Sequence, residues 1–176
     1  MLVKVGISYV STNNALANIE AEVPGWDFEQ VKEQARNTWN ERLSRIEVSG
    51  GSEEDKVKFY TSLYRALLGP YTFSDANGEY IGFDHKIHRA EGYTQYHTFS
   101  LWDTFRHAHP LYTLIEPEVQ NDAVRSLIAD YEQGGWLPRW PMANVYITAE
   151  VDIQNVGTYS HTENVQLYVD DEAVSS

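Results

Sequence analysis

Hydrophobic and polar residues alternate in some parts of the chain and recur at helical spacing in others. This pattern predicts which segments form strands and which form helices. Residues 2–10 alternate, with Val3, Val5 and Ile7 on one face, which is typical of a strand. Residues 11–14 are polar and are predicted to form a turn. Because no earlier segment can pair with this strand, we expect the sequence to begin inside a longer protein.

Two amphipathic helices are predicted next. Asp27 followed by Gln30 is a helix-start signal, and Ser52 followed by Asp55 is another. The second helix should stop at Gly69-Pro70. Both helices are expected to pack their apolar faces in a core. Those faces comprise Phe28, Val31, Ala35, Trp39, Leu43 and Ile46 in the first helix, and Val57, Tyr60, Leu63, Tyr64, Leu67 and Leu68 in the second.

The middle of the chain combines a hairpin with more helices. Residues 71–96 are rich in short β-prone pieces around Asn77-Gly78, a dipeptide that suits a type I′ hairpin turn. A third helix is predicted from Phe99 or Ser100 to the residue before Pro110. A fourth should run from Glu116-Pro117 to Gly134-Gly135, with an apolar side made of Val119, Ala123, Leu127, Ile128 and Tyr131.

The end of the chain returns to alternation, at residues 147–153 and 165–169, with a turn at 155–158. Two strands cannot bury an apolar face unaided. We therefore expect this tail to dock on the helices or to belong to a further domain that is cut short.

Composition narrows the classes of partner. The 176 residues carry a net charge of −13, which argues against nucleic acids and anionic membranes as partners. No cysteine is present, and no apolar run reaches the roughly 20 residues that span a bilayer. The first residues lack the pattern of a signal peptide. Aromatic residues make up 13% of the chain, which suits both a core and flat ligands such as sugar rings.

An acidic residue next to a tryptophan is the first candidate for chemistry. Asp103 follows Trp102 near a predicted helix start, in an otherwise apolar stretch. The carboxylate could accept hydrogen bonds from sugar hydroxyls beside an aromatic platform. Alternatively, Asp103 caps the helix or pairs with Arg106.

A stiff aromatic loop is the second candidate. Trp136, Arg139 and Trp140 follow a predicted helix end, and two prolines restrict the shape of the loop. These side chains could form a ligand wall, or they could plug the end of a helical hairpin.

The histidines do not have the spacing of a metal site, so no metal ligand is assigned. His107 and His109 are two residues apart and fall on different helix faces, whereas His85 and His88 lie in a predicted loop. Residues 75–79 lack the alternating oxygen ligands of a calcium loop and are predicted to form a turn. The other histidines are His97 and His161.

Four separated segments together resemble glycoside hydrolase family 92, the calcium-dependent exo-acting α-mannosidases. They are VKVGISYVS at 3–11, PGWDF at 24–28, SLWDTFR at 100–106 and GWLPRWP at 135–141. The resemblance runs from about Val3 to Asn144. Beyond Asn144 the tail is weakly similar to a fibronectin-type-III-like strand pair.

The fold class that the resemblance implies is mixed and mainly α. It comprises the last strand of an N-terminal β-sandwich, linker helices and the first hairpins of an α/α toroid, with a short β tail. The corresponding boundaries are 1–22 for the sandwich, 23–70 for the linker, 71–144 for the toroid and 145–176 for the tail.

The implied activity is inverting hydrolysis of α-linked mannosides, in which one carboxylic acid protonates the leaving oxygen and another carboxylate activates water. The resemblance implies that the mannose subsite is lined by Trp102, Asp103, Trp136 and Trp140, with supporting roles for Arg106 and Arg139. It also implies calcium as cofactor, mannose-containing glycans as partners, and a periplasmic, cell-surface or secreted location.

The acid, the base and the calcium ligands are expected beyond Asn144, so no catalytic residue is assigned and the isolated chain is expected to be an inactive fragment. The alternative from another class is a non-catalytic carbohydrate-binding or scaffold domain. A third reading is a purely structural helical domain, in which Trp102 and Trp136 are core residues.

Overall fold

The computed structural model is mainly helical, with short strands arranged in pairs, which confirms the mixed, mainly α class. It describes residues 1–97, 99–135, 137–138, 150–153, 168–169 and 172–173. The helices are α1 Thr12–Glu22, α2 Phe28–Leu43, α3 Glu53–Ala66, α4 Leu101–Thr104, α5 Ala108–Ile115 and α6 Pro117–Gly134. The strands are β1 Val5–Ser8, β2 Tyr71–Thr72, β3 Glu79–Ile81, β4 Ile87–Arg89, β5 Tyr96–His97, β6 Glu150–Ile153, β7 Tyr168–Val169 and β8 Glu172–Ala173.

Strand β1 buries the face opposite to the apolar one. Val5 and Ile7 are each 55% exposed, whereas Gly6 and Ser8 face α1 and are buried. Gly6 lets the helix approach closely, because a Cβ there would lie 2.3 Å from the carbonyl oxygen of Ala15. The apolar alternation predicted the strand correctly, but which face is buried depends on the helix that packs against it.

The polar residues after β1 start a helix instead of a turn. Ser11 is the N-cap of α1, and its hydroxyl oxygen accepts a hydrogen bond from the backbone N–H of Asn14 at 3.1 Å. The expected turn at 11–14 is therefore wrong. A serine cap satisfies helix N–H groups in the way that a polar turn would, so the two are hard to tell apart from local sequence.

The first strand of the tail pairs with β1. Strand β6 runs antiparallel to β1, with Val5 opposite Ile153 and Ile7 opposite Val151. Strands β7 and β8 pair with each other. Strand β6 of the tail therefore contacts both strand β1 and helix α1.

The predicted starts of α2 and α3 are confirmed. The Asp27 side chain accepts from the N–H of Gln30, and Ser52 and Asp55 form a reciprocal capping box. Their expected packing is only partly present. Within the described residues α2 buries no side chain, and α3 buries only Leu63.

Residues 71–97 form two ladders, β2 with β5 and β3 with β4. The β3–β4 turn lies at residues 82–86, so Asn77-Gly78 is not the hairpin turn that we expected. Gly78 instead ends a tight turn that begins at Asp75, where it has a φ of +86° and donates to the Asp75 carbonyl at 2.8 Å.

The predicted third helix is split in two. Helix α4 has four residues, and α5 contains Pro110 as its third residue. Proline is tolerated there because the first turn of a helix has no intrahelical partner for its N–H groups. The predicted α6 is confirmed, and Gly135 closes it in the left-handed conformation with a φ of 75°.

The buried face of α6 agrees with the predicted one only in part, since the predicted Ala123 is buried and Val119 and Leu127 are half-buried. Ile128 and Tyr131 are 52% and 56% exposed, whereas Ala123, Ser126 and Asp130 are buried. Two of these three buried residues are polar, so an apolar stripe is a poor guide to this helix.

A buried carboxylate joins the β1–α1 unit to residues 71–97. Asp75 is 8% exposed and accepts three hydrogen bonds, from Ser8 Oγ at 2.7 Å and from Asn14 Nδ2 and Asn18 Nδ2 at 2.8 Å each. Because each partner comes from β1 or α1, this carboxylate fixes those two elements against the β3–β4 hairpin.

Helix α6 is tied to the end of α2 by a second buried carboxylate. Glu116 is 4% exposed, and its Oε2 lies 3.0 Å from Arg42 Nη1 and 2.7 Å from Arg45 Nη1. Arg45 also donates to the carbonyl of Ile115. The two arginines therefore hold the α5–α6 junction against α2.

Candidate functional site

The tryptophan and the acid singled out from the sequence stand side by side on α4, at the surface. Trp102 is 58% exposed, and the neighbouring Asp103 is also exposed. The Ser100 hydroxyl donates to Asp103 Oδ2 at 2.5 Å, which restricts the carboxylate. An indole face beside a fixed, accessible carboxylate can bind the apolar face and the hydroxyls of a sugar.

The capping interpretation of Asp103 is not confirmed, because α4 has no side-chain cap hydrogen bond. The local contact of the carboxylate is with the Ser100 hydroxyl, a side chain that leaves the backbone N–H groups of the helix start unbonded by Asp103. Among the hydrogen bonds between described residues, the one to Asp103 uses Oδ2 and none uses its second oxygen, Oδ1. A local role therefore does not prevent Asp103 from binding a ligand.

Arg106 contacts an aromatic ring. Its guanidinium carbon lies 5.3 Å from the centre of the Phe105 ring, and Phe105 is 56% exposed. Among the ion pairs between described residues, none joins Arg106 to Asp103. The arginine therefore packs on an exposed ring three residues after Trp102 in the chain.

A column of rings lies beneath the chain that leads into α4. His97 stacks on Phe73 with ring centres 4.7 Å apart, and Phe73 contacts Tyr9 at the same distance. Phe83 meets His97 edge-on at 6.3 Å. Burial lowers the pKa of His97 below its ordinary value, because the charged imidazolium loses its water. His97 therefore acts as a packed neutral ring.

Sequence analysis missed a buried polar group next to this column. Gln95 is 1% exposed, and its Nε2 donates to Asp130 Oδ1 at 3.0 Å. Burial raises the pKa of Asp130 to about 7, opposed in part by the hydrogen bond from Gln95. Burial also raises the pKa of the neighbouring Tyr93. The available signal was spacing, because Asp130 lies four residues after Ser126 and seven after Ala123, on one helix face.

The second predicted wall lies outside the described residues. Trp136, Arg139 and Trp140 are not among them, so their assignment to a sugar site stays a prediction. Helix α6 ends at the glycine pair that introduces this loop, as the sequence indicated.

The described residues do not fit a calcium ion. No group of three or more histidine, aspartate or glutamate side chains converges within the described part of the chain. Asp75 is a buried acid near Glu79, and its oxygens already accept from a hydroxyl and two amides. His88 bonds Asp84 at 2.9 Å, a contact that lowers the pKa of Asp84.

Comparison with known families agrees with three of the four segments found in the sequence, those at 24–28, 100–106 and 135–141, whereas the segment at 3–11 precedes the match. The family model described as the glycosyl hydrolase family 92 catalytic domain matches residues 14–160. This chain belongs to glycosyl hydrolase family 92. The match extends past Asn144, where the resemblance seen in the sequence ended.

Solved structures of family 92 resemble the fold. A family 92 α-mannosidase from Bacteroides thetaiotaomicron superposes with a TM-score of 0.71 at 37% identity, over 76% of this chain and 18% of that chain. The same enzyme in complex with mannoimidazole gives a TM-score of 0.71 at 36% identity, over 76% of this chain and 18% of that chain. The family 92 hydrolase ccman5 gives 0.67 at 28% identity, over 76% and 19%.

A curated relative is known from a fungus. An uncharacterized secreted glycosidase of Arthroderma benhamiae is 33% identical over 78 residues, which is 42% of this chain and 10% of the relative. The chain thus spans about a tenth of this relative and less than a fifth of the solved structures. Within the described residues, every helix is too short or too polar to cross a membrane.

Proposed function

We propose that this family 92 chain is part of an exo-acting α-mannosidase and that Trp102 and Asp103 bind the mannose unit. The observation that carries the proposal is the pairing of an exposed indole with an oriented, accessible carboxylate on α4. The mannoimidazole complex of a structural neighbour supports mannose-like ligands as the class to test.

The reaction proposed for the whole enzyme is hydrolysis with inversion. A carboxylic acid protonates the leaving oxygen while a carboxylate on the opposite face activates water. In this scheme Trp102 and Asp103 hold and orient the sugar, and neither transfers a proton. The acid and the base are assigned to other parts of the enzyme, so the isolated 176-residue chain should release no mannose.

The architectural part of the proposal follows the family. Residues 1–22 are proposed as the end of a β-sandwich, 23–70 as a linker, 71–144 as the start of an α/α toroid and 145–176 as a β tail. The pairing of β1 with β6 supports a proposal in which the tail strand extends the sheet of the proposed sandwich strand. A periplasmic, cell-surface or secreted location is proposed, and the secreted glycosidase relative supports it.

The direct test is a titration of the purified chain with mannoimidazole and methyl α-mannoside. We expect D103N to weaken binding by about tenfold or more, because a sugar hydroxyl loses a charged acceptor. W102A should weaken it as well. The matched control is W26A, since Trp26 is 41% exposed and stacks under Lys4 far along the chain from α4.

The outcomes separate the alternatives. Binding that D103N and W102A reduce and W26A does not would support the proposed sugar site. Absence of binding by the wild-type chain would reject it. Mannose release by the isolated chain would overturn the assignment of acid and base to other parts of the enzyme. Binding without hydrolysis even in the full-length protein would favour a carbohydrate-binding or scaffold domain.

A further inference from the structure

We propose that Asp122, Ser126 and Asp130 of α6 are positioning residues for Trp102 and Asp103. In this proposal α6 takes the place of a neighbouring strand along residues 94–96 and so fixes where the chain enters α4. The inference rests on the proposed function, in which α4 carries the sugar-binding side chains.

One edge of residues 94–96 pairs in the ordinary way. Thr72 of β2 lies opposite Tyr96, and the N–H groups of Phe73 and Ser74 donate to the Gln95 carbonyl at 2.8 and 3.2 Å. This edge therefore faces another strand.

The opposite edge faces side chains of α6. The N–H of Thr94 donates to Asp122 Oδ2 at 2.9 Å, and the N–H of Tyr96 donates to Ser126 Oγ at 2.9 Å. Two backbone donors that would bond a neighbouring strand thus bond a carboxylate and a hydroxyl of the helix.

The spacing of helix and strand makes this substitution possible. Four residues of a helix advance about 6 Å, and two residues of a strand advance about 6.7 Å. Side chains at positions i and i+4 of α6 therefore meet successive N–H groups on one edge of an extended segment.

A third contact lies one helical turn further along α6, and the three contacts form a row made by Asp122, Ser126 and Asp130. The Gln95 side chain, 1% exposed, donates to Asp130, which is 3% exposed. Tyr93 donates to the other end of the Gln95 amide at 3.2 Å. Because buried donors are costly to leave unpaired, the row holds residues 94–96 at one position along α6.

This position determines where α4 begins. Phe99 follows closely after Tyr96 and is 4% exposed, so the connection into Ser100 is anchored in the protein interior. A displacement of residues 94–96 along α6 would therefore move Trp102 and Asp103 with them.

The test uses S126A and D122A in the 176-residue chain. The matched control is S62A on α3, since the hydroxyls of Ser62 and Ser126 both donate to the carbonyl four residues earlier at 2.8 Å, but among the described residues Ser62 bonds no strand. D122N is the conservative variant, because its amide oxygen can still accept from Thr94.

Two readouts are needed. The first is the indole N–H resonance of Trp102, assigned with W102F, which reports its surroundings with or without a ligand. The second is the affinity of the folded protein for methyl α-mannoside. We expect S126A and D122A to shift the Trp102 resonance and to weaken binding by about tenfold, and D122N to restore both.

The results distinguish this proposal from the proposed function. An unchanged Trp102 resonance in folded S126A and D122A, or an equal shift in S62A, would overturn the positioning role. If the wild type binds no mannoside, the proposed function fails and the resonance alone decides the positioning role. If S126A does not fold, D122A and D122N decide it, because Asp122 is only half-buried.

Discussion

Helices α2 and α6 have similar lengths, 16 and 18 residues, and both have apolar residues at helical spacing, yet they are packed differently. Helix α6 buries Ala123, Ser126 and Asp130, whereas α2 has no buried residue within the described chain. Helix α6 thus has an enclosed side, and two of the three residues buried there are polar. Among the described residues α2 has no enclosed side.

The difference comes from the neighbours of each helix. Helix α6 lies against residues 94–96, whose backbone N–H groups need acceptors, so polar side chains are favoured there. Helix α2 meets α3 through Trp39 and Tyr64, with ring centres 4.5 Å apart. Helical periodicity shows that a face is apolar, but the partner decides whether that face is covered and by what chemistry.

The largest expected effect comes from cutting the polar link between the two helices. R42A combined with R45A would leave the buried Glu116 carboxylate without a cation, and its Oε1 already has no partner among the described residues. We expect the free energy of unfolding to fall by about 3–5 kcal/mol, measured by urea denaturation.

Two further variants test whether the unpaired charge of Glu116 causes this loss of stability. Adding E116Q to the double variant should recover most of the loss, because no charge then stays buried. K58A, which removes an exposed ion pair with Glu54, should change stability by less than about 0.5 kcal/mol. A loss below about 1 kcal/mol in the arginine double variant would show that Glu116 needs no counter-ion.

The same substitution made on each helix sharpens the comparison of packing. Ala123 is fully buried on α6, whereas Ala35 is exposed on α2. A123L should lower the unfolding free energy by about 2–3 kcal/mol through overpacking, and A35L should leave it nearly unchanged. Thermal or urea unfolding of the two variants measures this contrast, and equal losses would mean that α2 is as enclosed as α6.

Local signals in the sequence were sufficient for the starts of α2 and α3 and for the end of α6. The reason is that Asp27, Ser52 and Gly135 act on backbone groups a few residues away. The Trp102 and Asp103 pair was also recognisable, because both residues are adjacent in the chain.

Features that depend on distant residues were not predicted. The buried face of β1 follows from the close approach of α1 at Gly6, and the hydrogen bonds around Asp130 follow from a segment 35 residues away. Helix α1 was missed for a local reason, since Ser11 serves equally well in a polar turn or as a cap. Tertiary neighbours therefore account for most of what the sequence did not show, including the residues that position the candidate site.

The smallest expected effect concerns pH and tests the buried acid that distinguishes α6. Folding raises the pKa of Asp130 from its ordinary 3.8 to about 7, so the folded chain keeps a proton that the unfolded chain releases between these values. The contribution of Asp130 to stability is fully present below about pH 4 and is lost as pH rises through about 7. Between about pH 5 and 7 we expect this loss to be on the order of 2 kcal/mol.

The variant D130N removes the titration and should flatten this part of the pH profile of unfolding. His97 has the opposite sign, because its lowered pKa makes the folded state lose stability as pH falls, so the difference between wild type and D130N isolates Asp130. The control is E33Q on α2, where the carboxylate is exposed and the wild-type profile should persist. A wild-type profile that does not differ from that of D130N between about pH 5 and 8 would mean that the Asp130 site admits water and that α6 is no more enclosed than α2.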